Sequence, residues 1–363
     1  HPELGLECHK TAAFVAEKLR EFGVDEIHQG IAKTGIVAII NGQGDGPTIG
    51  LRADMDALPM DEETGLPYAS ETSGHMHACG HDGHTTMLLG AARYLTETRR
   101  FSGRAALIFQ PDEEDNGGGR VMVEEGIMER FDVQRVFAMH NAPGVPLGHF
   151  SLSQGPMMAA SDEFEVTVTG QGGHGAAPDQ SNDPIPAALA MISAIQTIVS
   201  RNHNAYKALV ISVTNIHAGS THNIIPQRCT FGGTVRTFDE DVQSMVRQRM
   251  NQIVTGTADS FGLAAELTYN RGYPAAVNDP DQAAFATAVA KEVVGDAAVI
   301  DDAKPEMYGE DFSYMLRARP GAYINLGQGD TASCHHPAYD FQDDIAPIGA
   351  SFFARLVECA QPV

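Results

Sequence analysis

The chain has 363 residues, more than one hydrophobic core usually holds, so two domains are expected. It carries 24 basic against 47 acidic residues, a formal net charge of −23, which argues against nucleic acid or an anionic membrane as partner. No apolar run reaches the ~20 residues a bilayer span needs. The five cysteines, Cys8, Cys79, Cys229, Cys334 and Cys359, are odd in number and scattered. That is no disulfide framework and suits a reducing compartment, so with no secretory leader in view the expected location is cytoplasmic.

In chain order, Thr11 to Phe22 has helical spacing through Phe14, Val15, Leu19 and Phe22. Gly35 to Ile40 and Thr48 to Ala53 read as buried strands joined by a glycine-rich turn, the second running into Arg52-Ala53-Asp54-Met55-Asp56. Gly74 to His84 then packs four histidines and Cys79 into one short loop. A helix is expected from His84 to Thr98, a strand over Arg104 to Phe109, a helix over Gly119 to Phe131 and a strand over Arg135 to Met139. This alternation predicts an α/β layer with a mainly parallel central sheet. Asp54 and Asp56, Glu113 and Glu114, and His140 all stand just past strand C-termini, the edge where open α/β sheets collect ligand sites.

From Asp162 the texture changes. Glu163 to Thr169 alternates as a half-exposed strand, followed by a helix (184–201), two strands (208–216 and 228–237), a helix (239–261) and a strand (264–270). The order βαββαβ predicts an inserted ferredoxin-like domain over 161–272, whose exposed sheet edge could serve dimerisation, with residues 1–160 and 273–363 forming the domain that carries the candidate metal donors. The tail offers helices at 281–294, 311–319 and 348–359, a strand at 322–326, and the loop Cys334-His335-His336-Pro337.

Cys79, His81, Glu114, His140 and one of His335 or His336 supply the thiolate, imidazole and carboxylate donors of a two-metal site. Cys79 and His81, two apart in an extended loop, can converge on it. In the pair Glu113-Glu114 one carboxylate can bind metal while the other takes a proton from water. A phosphate-binding G-x-x-x-x-G-K-[ST] loop, a G-x-S-x-G nucleophile elbow, the zinc-deaminase pattern and a second cysteine pair at finger spacing are all absent.

The set R-A-D-M-D-A-L-P-M, G-H-M-H-A-C-G-H-D-G-H-T, F-Q-P-x-E-E, A-M-H-N, G-G-H-G-A-x-P, N-I-I-P, Y-G-E-D-F-S and H-H-P-A-Y-D-F resembles the peptidase M20 metal-dependent amidohydrolases. The match is to the branch of aminoacylases, hippurate hydrolases and auxin-conjugate hydrolases, and it covers the whole chain in order. The resemblance implies that Cys79 bridges two divalent metal ions, Zn²⁺ or Mn²⁺ with Co²⁺ or Ni²⁺ as further candidates. His81 and His140 would complete one ion's ligands, Glu114 and His335 the other's. His335 is preferred to His336 because it stands two before Pro337. Glu113 would be the general base, and Asp56 would orient a metal ligand and support that base. His75, His77 and His84 would be supporting residues. Residues 1–160 and 273–363 would form the metal-binding catalytic domain, and the inserted domain would act as a lid and dimerisation domain. Its His174, Asn223 and Arg236 would contact substrate, the first two from a partner subunit in a homodimer or higher homo-oligomer. The implied reaction is hydrolysis of the amide bond of an N-acyl amino acid, with a dipeptidase, a carbamoylase or an aromatic-amine deaminating hydrolase as alternatives on the same metal centre. Asp112 departs from the branch, which commonly has a small residue there.

Overall fold

The computed structural model describes residues 1–363 and divides into two compact units. The first comprises His1–Met157, Ala276–Pro305 and Asp311–Val363; the second comprises Met158–Ala275 and Glu306–Glu310.

An eight-stranded mixed sheet forms the first unit's centre. Its middle is parallel: Arg104–Gln110, Thr48–Asp54, Val133–Pro143 and Gly321–Gly329 pair side by side in one direction. Every residue of Thr48–Asp54 is buried, as a strand covered on both faces must be, and this explains its apolar run. The sheet continues antiparallel through Gly35–Asn41 to Glu26–Ile31 at one edge. That edge strand was not anticipated, because Glu-Ile-His-Gln-Gly-Ile is polar and largely exposed. The helix His81–Thr98 packs Met87, Leu88, Ala91, Ala92 and Leu95 inward, beside the C-terminal helix Ala346–Ala360 with Phe352, Phe353, Leu356 and Val357.

Two expected helices differ in extent. The single helix expected over 119–131 is two, Gly118–Glu124 and Ile127–Arg130. Gly126 between them takes φ 79°, which breaks the helical path. The helix after the histidine-rich loop starts at His81, three residues before the expected His84.

The second unit holds a four-stranded antiparallel sheet in the order Leu209–Ala218, Arg228–Thr237, Ala160–Thr169, Ala264–Asn270. Helices Pro184–Thr197 and Glu240–Phe261 complete the βαββαβ sequence of elements. Phe164, Val166 and Val168 meet Ala187, Met191, Val246 and Met250 in its core. The segment Pro184–Asn202 is long and apolar enough to cross a membrane by length and composition; in this structure its Ala187–Ile195 face is part of that core.

Candidate metal centre

The centre is built where strands end. The strand Thr48–Asp54 delivers Asp54 and, just beyond it, Asp56; Arg104–Gln110 leads into Glu113 and Glu114; Val133–Pro143 carries His140 near its end. Cys79 and His81 arrive from the loop preceding the His81–Thr98 helix. They do not lie in an extended loop as the sequence reading has it: Gly80 between them is left-handed at φ 90°, and His81 is the first helical residue. Gly80 is also pressed close, since an added Cβ would lie 2.3 Å from Asn141 Oδ1 and 2.5 Å from the Tyr339 hydroxyl. A left-handed turn under two side chains leaves room only for glycine.

The donors fall into two triplets that share Cys79: Cys79, His81 and His140, and Cys79, Glu114 and His335. Within each triplet the ligand atoms lie within 4.8 Å of one another. Neighbouring groups fix the face each imidazole presents. The Nδ1 of His81 lies 2.9 Å from the Asp56 carbonyl oxygen and 3.2 Å from Asp56 Oδ1. That of His140 lies 2.7 Å from the Asn141 carbonyl oxygen. Both rings therefore donate through Nδ1 and turn Nε2 inward, the nitrogen left to offer a lone pair once it is unprotonated. His140 Nε2 stands 3.5 Å from Cys79 Sγ. His81 Nε2 is 3.8 Å from Glu114 Oε1, and both atoms are buried without a hydrogen-bond partner.

His335 Nε2 stands 3.2 Å from Glu114 Oε1, off the line of a good hydrogen bond. The adjacent His336 turns its Nδ1 back to accept from the Ala338 N–H. Glu113 is buried, and its Oε1 lies 3.4 Å from the Asp311 N–H. Asp56 Oδ2 accepts the Glu114 N–H at 3.1 Å, so one carboxylate holds both a histidine ring and the Glu113-Glu114 turn.

Electrostatics agree with a cation-seeking site. Burial disfavours a charged His81 ring, but Asp54, Asp56 and Glu114 outweigh it and hold its pKa well above the usual value. His335 is raised by Glu114. Burial would raise Glu114, yet His335 and His81 bring it below its ordinary range. The Cys79 thiol is pushed well up by its hydrogen bond to Cys334, by burial and by nearby carboxylates. His140 is lowered by burial and by His84. A buried imidazole nitrogen and a buried carboxylate oxygen, both orphaned beside a thiol, fit a divalent cation. One sulfur, three imidazoles and a carboxylate suit Zn²⁺ and also Mn²⁺, Co²⁺ or Ni²⁺.

A network around these donors was not legible beforehand. Arg52, fully buried, donates to Asp54 Oδ2 at 2.7 Å, to Gln110 Oε1 at 2.9 Å and to Asp311 Oδ1 at 2.9 Å. His84 Nδ1 meets Asp54 Oδ1 at 2.5 Å, and its Nε2 lies 2.7 Å from Asn141 Oδ1. The signal was present: one arginine in a wholly buried strand demands carboxylate partners. Asp112 is buried at φ 60°, its Oδ1 accepting the Asn116 N–H at 3.1 Å, and burial raises its pKa. His77 is lowered by burial, with its Nδ1 unpaired.

The remaining expected residues lie in the second unit. His174 and Asn223 adjoin: Gly173–His174 pairs with Ile224–Ile225, and the Gly175 N–H donates to the Asn223 carbonyl. Arg236 does not join them. It pairs with Ser161 at the start of the Ala160–Thr169 strand, whereas His174 follows that strand's end. The eight steps from Ser161 to Thr169, at about 3.3 Å each, separate the two ends by roughly 26 Å. Arg236 is half-buried, and burial lowers its pKa.

The profile of Peptidase family M20/M25/M40 matches residues 50–358. The chain is 40% identical to a hippurate hydrolase of Campylobacter jejuni, over 98% of this chain and 92% of that one. It is 42% identical to an N-acetyl-L-cysteine deacetylase of Bacillus subtilis, over 97% of this chain and 83% of the other. Among solved structures it superposes with a TM-score of 0.87 on a Bacillus subtilis protein described as a dinuclear metal binding peptidase from the M20 family. Identity there is 34%, covering 99% of this chain and 94% of that one.

Proposed function

The chain belongs to peptidase family M20/M25/M40 and is a metal-dependent amidohydrolase, and from that membership we propose that it hydrolyses the amide bond of N-acyl amino acids, aliphatic or aromatic. The products are a carboxylic acid and a free amino acid. The observation that carries this reading is the pair of donor triplets sharing Cys79, with Glu113 buried beside them.

Cys79, His81 and His140 would hold one divalent cation, and Cys79, Glu114 and His335 a second. Such cations supply Lewis-acid activation of water and of the acyl carbonyl. Glu113 takes the proton of the attacking water and returns it to the leaving amine nitrogen, so that it is regenerated at the end of the cycle. Asp56 holds the His81 ring and the Glu114 backbone in place. Arg236 receives the substrate carboxylate through paired N–H donors. His174 donates to the oxyanion that develops on the acyl oxygen. About 26 Å of strand lies between these last two, too far for one N-acyl amino acid to touch both within one chain. His174 and Asn223 therefore serve the site of a second copy in a homodimer or higher homo-oligomer.

The test is a substrate panel of N-acetyl, N-benzoyl and N-indoleacetyl amino acids against dipeptides and N-carbamoyl amino acids. It is run on protein loaded in turn with Zn²⁺, Mn²⁺, Co²⁺ and Ni²⁺, with bound metal counted by elemental analysis. Release of free amino acid from the acyl substrates is expected. Turnover of dipeptides or carbamoyl compounds alone would replace this reading with a dipeptidase or a carbamoylase.

A further inference from the structure

The second unit carries a basic groove that the proposed chemistry does not use. Ser244, Arg247, Gln248 and Asn251 follow one another at i, i+3, i+4 and i+7 along the helix Glu240–Phe261, so they share one face. Leu267, Tyr269 and Arg271 alternate along and just beyond the strand Ala264–Asn270, so they also share a face. Together these seven residues line a cavity of about 460 Å³. The strand is an edge of its sheet, hydrogen-bonded on one side to Ala160–Thr169.

Three features set this groove apart from ordinary polar surface. First, Arg247 and Arg271 both open onto it, and neither pairs with a carboxylate; Arg271 donates to Ser244 Oγ at 2.9 Å. Their charge is therefore not neutralised within the groove, unlike that of Arg93 beside Glu97 or Arg355 beside Glu292. Second, the floor is apolar and ordered. The Tyr269 hydroxyl donates to Asp162 Oδ2 at 2.7 Å, and Asp162 Oδ1 accepts from Gln243 Nε2 at 2.7 Å, so the ring is pinned beside Leu267. Third, the volume falls in the range that small-molecule sites occupy, roughly 300–1,000 Å³, and exceeds what a bare oxyanion fills.

We propose that this groove binds a small organic anion, its carboxylate or phosphate head on Arg247 and Arg271 and its apolar body on Leu267 and Tyr269. Guanidinium forks match either head bidentately. The ring and the leucine supply apolar area that inorganic phosphate cannot use. Ser244, Gln248 and Asn251 complete the rim with neutral donors and acceptors.

Isothermal titration calorimetry of the metal-loaded enzyme tests this with four probes: phenyl phosphate, phenylacetate, inorganic phosphate and neutral phenol. The comparison protein is Arg247→Gln/Arg271→Gln; both positions are exposed, so the fold is retained. Saturable binding of phenyl phosphate or phenylacetate is expected, weakened at least about tenfold in the double variant, with amide hydrolysis unchanged. Whichever of the two binds more tightly identifies the preferred head. Equal binding by wild type and double variant would overturn the proposal, and so would the absence of saturable binding. Inorganic phosphate or phenol binding as tightly as the better aromatic anion would overturn it too.

Discussion

Asp56 clamps His81 from two directions, its backbone carbonyl 2.9 Å and its Oδ1 3.2 Å from the ring Nδ1. Its other oxygen accepts the Glu114 N–H, so the orientation of one donor and the turn that presents another depend on a single side chain. Asp56→Asn keeps the shape but loses the charge and offers one acceptor in place of two. Metal affinity should fall about 10–100-fold, the usual effect of removing a carboxylate behind a ligating histidine. Competition with a chromophoric chelator measures this, and unchanged affinity would mean the backbone carbonyl alone orients the ring.

Glu113 belongs to no triplet that contains Cys79, although it clusters with His81 and Glu114. Glu113→Gln should therefore keep the metal content of the wild type while kcat drops by about 10²–10⁴, the range for loss of a general base. Elemental analysis beside a turnover assay separates the two effects. Loss of metal together with activity would make Glu113 a ligand instead.

The parallel strands and the βαββαβ order were legible because buried strands are apolar runs and half-exposed ones alternate. The donors at strand ends were legible for the same reason, once the strands were placed. What stayed hidden depends on contacts between distant segments. Asp311 reaches Arg52 and Gln110 across 259 and 201 residues of sequence. The His81–Thr98 helix begins before its expected start because Gly80, which reads as loop in the sequence, is the left-handed residue before the first turn. The edge strand Glu26–Ile31 has only one sheet neighbour, so its side chains meet too little core to be patterned.

The direction of the pKa shifts makes metal loading proton-linked. In the metal-free protein Asp54, Asp56 and Glu114 hold the His81 pKa well above that of a free imidazole, Glu114 raises His335, and Cys334 and burial push the Cys79 thiol well up, so all three keep their protons to higher pH than free side chains do. A cation must displace those protons to reach lone pairs. Affinity should therefore rise with pH through the neutral range, until the raised pKa values are passed. His140, lowered by burial, is already neutral and contributes no proton. Calorimetry in buffers of different ionisation enthalpy counts the protons released; an affinity independent of pH contradicts the assignment of Cys79 and His81.

Arg52 is the only arginine or lysine among the buried residues. Burial would raise Asp54, but Arg52, His81 and His84 hold it well below 3.8. A carboxylate depressed in the folded state adds stability above its unfolded pKa, and that contribution disappears as pH falls through the folded value. Arg52→Met strands Asp54 and Asp311 in the core, so at neutral pH the metal-free protein should lose about 3–5 kcal/mol. The deficit should shrink in acid as the stranded carboxylates take up protons. Urea midpoints at neutral and acid pH show both effects; a shift below about 1 kcal/mol at neutral pH would mean water reaches the network.

Arg236 pairs with the start of the Ala160–Thr169 strand, whereas His174 lies beyond its end, so subunit exchange tests whether sites are shared. His174→Ala should lose most activity, because its site in the second copy lacks an oxyanion donor. Glu113→Gln should lose it as well, by losing the base. When the two inactive proteins are mixed and allowed to exchange subunits, some pairs unite a subunit with intact Glu113 and one with intact His174. Those pairs hold one complete site, so random exchange should return about a quarter of wild-type turnover, since half the pairs are mixed and each has one of two sites. Coupled sizing and activity measurements follow the exchange. If mixing restores nothing although mixed pairs form, His174 acts within its own chain, and Arg236 is then not the residue that holds the substrate carboxylate.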